Sequence, residues 1–197
     1  MKTVKSFVAS TLLILGSSVF CVASATTIHF DDIIFPASPI GSVAGGYQGF
    51  NWSGGLGAAS WAVSADTGSL FQGVPAISVH NFAWNNGGTD LTMTTTIAEF
   101  SLNSFWGRMG SAVNGQTTLH GFLGGVEVLT QTLNLTKVYQ KLNLNSVGID
   151  TLTFSNQGAN ILLDDIAVSS VPEPESYAMM VAGLGIVGFL ARRRRKY

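Results

Sequence analysis

The chain has 197 residues, with ten basic and eleven acidic side chains and a formal charge of −1. Charged residues make up 11% of it, against roughly 25% in an average soluble domain, and 23 glycines fill part of the gap. That balance excludes a disordered polyelectrolyte, a coiled coil and a cationic nucleic-acid binder.

At the start, Lys2 and Lys5 precede an apolar run from Phe7 to Val22, followed at once by Ala23-Ser24-Ala25. A positive start, a short apolar stretch and a small-x-small triplet predict a secretory signal peptide over residues 1–25, cut by signal peptidase after Ala25. An uncleaved N-terminal anchor is the alternative. Cys21, the only cysteine, lies inside this leader. The mature chain is therefore expected to have no disulfide, no cysteine-ligated zinc and no thiol nucleophile.

Residues 26–171 carry nine acidic and three basic side chains, a charge of −6. An acidic body argues against direct binding of nucleic acid or anionic lipid. Short β-branched and aromatic runs bounded by Gly, Asn and Ser predict strands near Thr27–Asp31, Phe50–Ser53, Ser60–Val63, Ala76–Phe82, Leu91–Thr96 and Glu99–Trp106. Further strands are predicted near Thr117–Leu123, Val126–Leu133, Lys137–Leu144, Asp150–Phe154 and Asn160–Val168. Asn114-Gly115 suits a type I′ hairpin, and Gly124-Gly125 marks a second. Leu152 and Phe154 alternate with Thr151 and Thr153, which gives a strand with one apolar face. The pattern predicts an all-β, jelly-roll-like antiparallel sandwich, with a closed barrel as the alternative.

Two acidic pairs bracket this body. Asp31-Asp32 follows the first strand, and Asp164-Asp165 lies in the last. First and last strands of a sandwich commonly lie close, so the four carboxylates are candidate ligands for a structural calcium, a hard cation that takes oxygen donors. The alternative is that they accept turn and backbone hydrogen bonds. The surroundings of Asp164-Asp165 are similar to the last strand of extracellular jelly-roll and carbohydrate-binding modules. Tyr47, Trp52 and Trp84 are candidate glycan platforms, with Trp84, beside a polar turn, expected to be exposed. Core packing is the competing use of each ring. His29, His80 and His120 show no metal-ligand spacing, and no G-x-S-x-G elbow is present. No cofactor other than calcium is implied.

The chain then runs through Val171-Pro172-Glu173-Pro174-Glu175-Ser176 into the uncharged stretch Tyr177–Ala191, and on to Arg192-Arg193-Arg194-Arg195-Lys196. Fifteen residues of helix span only about 22 Å, short for a bilayer, but flanking arginines reach the interface and make a short transmembrane helix over 177–191 feasible. The cations would keep the C-terminal end cytoplasmic. Motif, short helix and basic cluster in this order resemble the PEP-CTERM sorting signal of exported proteins in Gram-negative bacteria, here over residues 172–197. The resemblance implies that Pro172, Glu173 and Pro174 are recognised by an exosortase-like processing enzyme while Arg192, Arg193, Arg194, Arg195 and Lys196 hold the substrate in the inner membrane. It also implies release to the cell surface or the extracellular polysaccharide matrix. Two prolines are expected to keep this motif extended and outside the helix.

Together these features predict an exported, non-enzymatic, matrix-associated sandwich in contact with glycan. Two readings stand beside it: a secreted glycan-active hydrolase using two of the carboxylates, and an uncleaved membrane-anchored domain that binds proteins.

Overall fold

The structure, a computed structural model, describes residues 25–34, 40–53, 61–65, 74–78, 80–85, 90–95, 99–110, 114–146, 148–156, 158–171 and 174–194. The chain divides into two units: Val22–Glu173, and a second that contains Pro174–Tyr197.

Twelve described strands build the first unit. They are β1 (Ala25–Ile28), β2 (Ile40–Ser42), β3 (Phe50–Ser53), β4 (Trp61–Ala65), β5 (Asn81–Asn85), β6 (Leu91–Thr95), β7 (Phe100–Met109), β8 (Gly115–Leu123), β9 (Val126–Leu135), β10 (Gln140–Asn143), β11 (Thr151–Asn156) and β12 (Ile161–Ser170). Sheet A has the order β10-β7-β12-β5-β4-β2, with β1 also paired to β12, and sheet B has the order β3-β6-β11-β8-β9. Every pairing is antiparallel. This is the antiparallel, jelly-roll-like sandwich that the strand pattern predicts.

Alternation fills the space between the sheets. Leu102, Phe105, Met109, Leu163 and Ile166 of sheet A share one buried cluster with Leu91, Met93, Leu119, Leu152 and Phe154 of sheet B. The Phe105 and Phe154 rings meet edge to face at 5.4 Å across the interlayer, a geometry that the ring quadrupoles favour. Gly107 makes room there, because a Cβ on it would lie 2.8 Å from the Phe105 ring.

The turns part company with expectation at one place. Gly124 and Gly125 both have positive φ, 58° and 79°, as a I′ hairpin between β8 and β9 requires. Asn114-Gly115 forms no hairpin: β7 belongs to sheet A and β8 to sheet B, so the chain changes layer there. Strand β5 begins at Asn81, five residues later than the predicted start at Ala76, because Ile77, Ser78 and His80 give their amides to carboxylates instead of to a neighbouring strand.

In the second unit, α1 (Pro174–Arg194) is a 21-residue helix. Pro174 is its first residue rather than part of an extended segment outside it. The correction has a simple cause: a proline in the first turn gives up no intrahelical N–H bond and brings its φ already set. Val181, Leu184, Ile186, Val187 and Phe189 are exposed on several sides of the helix. Among the described residues no helix is long and apolar enough to cross a membrane. Residues 1–24 of the leader, with Ala23, and Pro172, Glu173, Arg195 and Lys196 lie outside the described residues, whereas Ala25 opens β1.

Candidate functional site

The first and last strands do lie together. β1 pairs with β12 from Ala25↔Ser169 to Ile28↔Ile166, while Leu162 and Leu163 of β12 pair with β5. Strand β7 takes the opposite edge of β12, so β5 and β1 follow one another along a single edge. Asp164 and Asp165 occupy the gap between them. The β12–β7 register shifts here and Asp165 has φ 47°, a left-handed conformation that Asp tolerates better than most residues. Such an irregularity re-aims side chains and ends regular pairing.

Ser78 links Asp31 to Asp164 beside this gap, and each of the four predicted carboxylates is engaged by the protein itself. Asp164, fully buried, accepts the Ile77 and Ser78 amides on Oδ2 at 2.8 and 2.9 Å and the Asp165 amide on Oδ1 at 2.8 Å. Asp31 accepts the His80 and Asn81 amides on Oδ1 at 2.9 and 2.8 Å. Ser78 Oγ lies 3.1 Å from Asp31 Oδ1 and from both Asp164 oxygens. Asp32 receives the Tyr47 hydroxyl at 2.5 Å, and Asp165 pairs with His29 Nδ1 at 2.7 Å. Asn81 completes the clasp by donating to the Phe30 and Ile33 carbonyls. Burial pushes Asp164 up to about 6, against the pull of the backbone donors. Burial and the Asp32 carboxylate likewise raise the Tyr47 phenol.

This arrangement ties Ile77, Ser78, His80 and Asn81 to Asp31, just beyond the end of β1, and to Asp164 of β12. Both Asp164 oxygens and Asp31 Oδ1 are directed at N–H groups. Among the described residues no group of three or more His, Cys, Asp or Glu side chains is placed to hold a metal ion.

The aromatic candidates are occupied as well. Trp84 is 3% exposed and packs with Phe82 and Leu162, flanked by Val74, Ala76 and Tyr139. Its expected exposure is therefore corrected: the segment carrying Val74 and Ala76 covers the outer face of sheet A, an arrangement with no local trace in the sequence. Trp52 is 7% exposed and donates Nε1 to the Tyr47 carbonyl at 2.9 Å. Tyr47 is half-buried, its ring 5.9 Å from Phe30 and 6.2 Å from Trp52. Beside the Trp84 cluster, the Arg108 guanidinium sits 5.6 Å above the Tyr139 ring. These rings pack against protein, as their competing use requires.

A different surface emerges on sheet B. Registers place Ser53, Thr92, Thr153, His120 and Thr130 in one row across its five strands. A neighbouring row holds Ser155, Thr118 and Thr132. Hydrogen bonds run along the rows, Thr92 to Thr153 at 3.1 Å and Thr118 to Thr132 at 3.4 Å, and beyond them Gln116 Nε2 donates to Asn134 Oδ1 at 2.8 Å. No Lys or Arg occurs in these five strands, and Glu127 is their only acid. Its carboxylate accepts from Thr130 and pairs with His120 at 2.7 Å; these contacts hold it below its ordinary value. The Thr130 hydroxyl bonds the carboxylate rather than the imidazole, so the group lacks the base-to-nucleophile contact of a hydrolytic triad. Sequence reasoning passed over this neutral hydroxyl face, although the alternate-residue Thr pattern of β6, β8, β9 and β11 was its signal.

Fold and surface together define an antiparallel β-sandwich with a clasped crossing segment and a neutral outer face. Comparison with known proteins adds the sorting element. The family model described as PEP-CTERM protein-sorting motif matches residues 170–195, and the chain carries that motif. No curated protein matches the sequence. Among solved structures, a family 29 carbohydrate-binding module from Piromyces equi is similar, with 9% identity, TM-score 0.43, and coverage of 76% of this chain and 91% of that one. A carbohydrate-binding module of family 29 has 15% identity, TM-score 0.42, and coverage of 75% and 89%. An agarase has 12% identity, TM-score 0.38, and coverage of 64% of this chain but 24% of that chain. At this level the likenesses carry no statement about ligand or activity.

Proposed function

We propose that this is an exported, non-enzymatic β-sandwich, sorted to the cell surface through its C-terminal signal and placed there in contact with neutral polysaccharide. The observation that carries the reading is the sorting motif at residues 170–195, which follows a sandwich whose strands and buried clusters all lie within Val22–Glu173. Signal peptidase removes residues 1–25 in this reading. The apolar stretch of α1, short of a full span, is held at the inner membrane by arginines that reach the headgroups, and an exosortase-like enzyme cuts near Pro172-Glu173-Pro174. The neutral hydroxyl and amide face of sheet B supports the glycan contact, because sugar hydroxyls exchange hydrogen bonds with such groups without the desolvation of a charge.

Mass spectrometry of the protein from fractionated cells tests the sorting. The expected product starts at Thr26, lacks Arg192–Lys196 and is found at the surface, and replacing Pro172, Glu173 and Pro174 with alanine leaves an unprocessed membrane-bound form. Recovery of the intact mature chain including Arg192–Lys196 would instead mean a permanent anchor. Release of reducing ends from neutral polysaccharide by the purified protein would overturn the non-enzymatic assignment.

A further inference from the structure

The outer edge of β9 points to a docking surface for a second copy of this chain. Among the described residues five strands have an unpaired edge: β10, β2 and β1 in sheet A, β3 and β9 in sheet B. Four are short, with four residues in β10, three in β2, four in β1 and four in β3, and β10 also carries Lys141. Short strands and lysines are the usual protection of a sheet edge against pairing with another chain. β9 has neither. It runs for ten residues, Val-Glu-Val-Leu-Thr-Gln-Thr-Leu-Asn-Leu, without Lys, Arg or Pro, and among the described residues no strand pairs with its outer edge.

The sequence of that edge is self-complementary. Leu129-Thr130-Gln131-Thr132-Leu133 reads the same in both directions. Antiparallel pairing of two copies about Gln131 therefore sets Thr130 against Thr132 and Leu129 against Leu133, like beside like on each face. Backbone directions agree with this register. The Asn134 carbonyl is taken by the Gln140 side-chain amide at 2.7 Å, so it turns away from β8. By the alternation of an antiparallel ladder, Thr132 and Thr130 do the same. Each copy then offers outward N–H and C=O groups at the two positions that face one another, and Gln140 closes the pairing at its end.

Charge placement favours the same partner. Glu127, the only charge of β9, lies four residues from the dyad and is held on its own sheet by His120 and Thr130. The two copies of Glu127 would stand about 27 Å apart at ~3.4 Å per residue, beyond a Debye length at physiological salt. Five residues per chain make a small contact, so the association belongs to the weak, concentration-dependent class. It would join the two sheets into one and lay their hydroxyl faces side by side.

Sedimentation of the Val22–Glu173 unit, which holds its whole core, tests the inference over a micromolar-to-millimolar series. The expected result is a mass rising to that of a dimer and no further. Gln131→Lys and Gln131→Glu each place like charges opposite one another at the dyad, ~5 Å apart at Cβ. Each alone should remain a monomer with an unchanged melting temperature, since Gln131 is exposed in the single copy. An equimolar mixture of the two variants should recover the dimer. A wild type that stays monomeric throughout would overturn the inference. So would a wild-type dimer, or a larger assembly, that both charged variants still form.

Discussion

Replacing Asp164 with Asn separates the buried charge from the hydrogen bonds that hold the 77–81 segment. Asp164 sits at about 6 against an ordinary value of 3.8. At about 1.4 kcal/mol per pH unit, its complete titration costs the fold about 3 kcal/mol. The sign follows from proton binding: between the two values the folded state binds more protons than the unfolded one, so stability falls as the pH rises. The contribution is fully present below 3.8 and lost as the pH passes about 6, with most of the change between pH 4 and pH 7. In Asp164→Asn the remaining oxygen can still accept the Ile77 and Ser78 amides. The new amide nitrogen faces the Asp165 N–H, however, and that bond is lost, a cost of about 1–3 kcal/mol. The variant should therefore be clearly less stable than the wild type near pH 4 and close to it, or above it, near pH 7.5. Urea unfolding of the Val22–Glu173 unit across this range reads the difference directly, because every other titrating group cancels between the two proteins. Stability curves that run parallel from pH 4 to 7.5 would refute the reasoning, since the buried carboxylate would then have no part in the pH dependence.

Two more outcomes follow from the same geometry. Trp84→Ala should lower stability by about 3–5 kcal/mol, read as a shift in the urea midpoint, yet leave polysaccharide retention by the folded fraction unchanged; retention lost at conserved stability would put Trp84 back among the contact residues. A chelator should leave the melting temperature where it is, because Asp31 and Asp164 already accept backbone amides, and a clear drop in calorimetry would show that a metal ion shares them.

Local patterns made a large part of this protein legible before its structure. Strand β3 falls on Phe50–Ser53 as read from four residues, and Gly124-Gly125 fixes the β8–β9 turn because both residues need positive φ. Leu152 and Phe154 lie inside, with Thr151 and Thr153 on the other face, as period-two alternation requires. The sorting motif is a contiguous string and needs no fold to be seen. The nearness of Asp31 to Asp164 also followed, from the common closeness of a sandwich's terminal strands.

What those side chains do was decided only by tertiary structure. Asn114-Gly115 has the composition of a hairpin, but composition does not say that the next strand joins the other sheet. Trp84 lies near polar residues in sequence and is buried because Val74 and Ala76 cross over it. The same crossing delays β5 and brings Asp31 and Asp164 the backbone amides they accept, from about fifty and eighty-six residues away. By itself the amino-acid sequence determined the described strands except β2, the alternation of their faces and the sorting tail, because each is carried by neighbouring residues. Partner strands, buried rings and the use of the carboxylates depend on contacts between distant segments, and those exist only once the two sheets have closed.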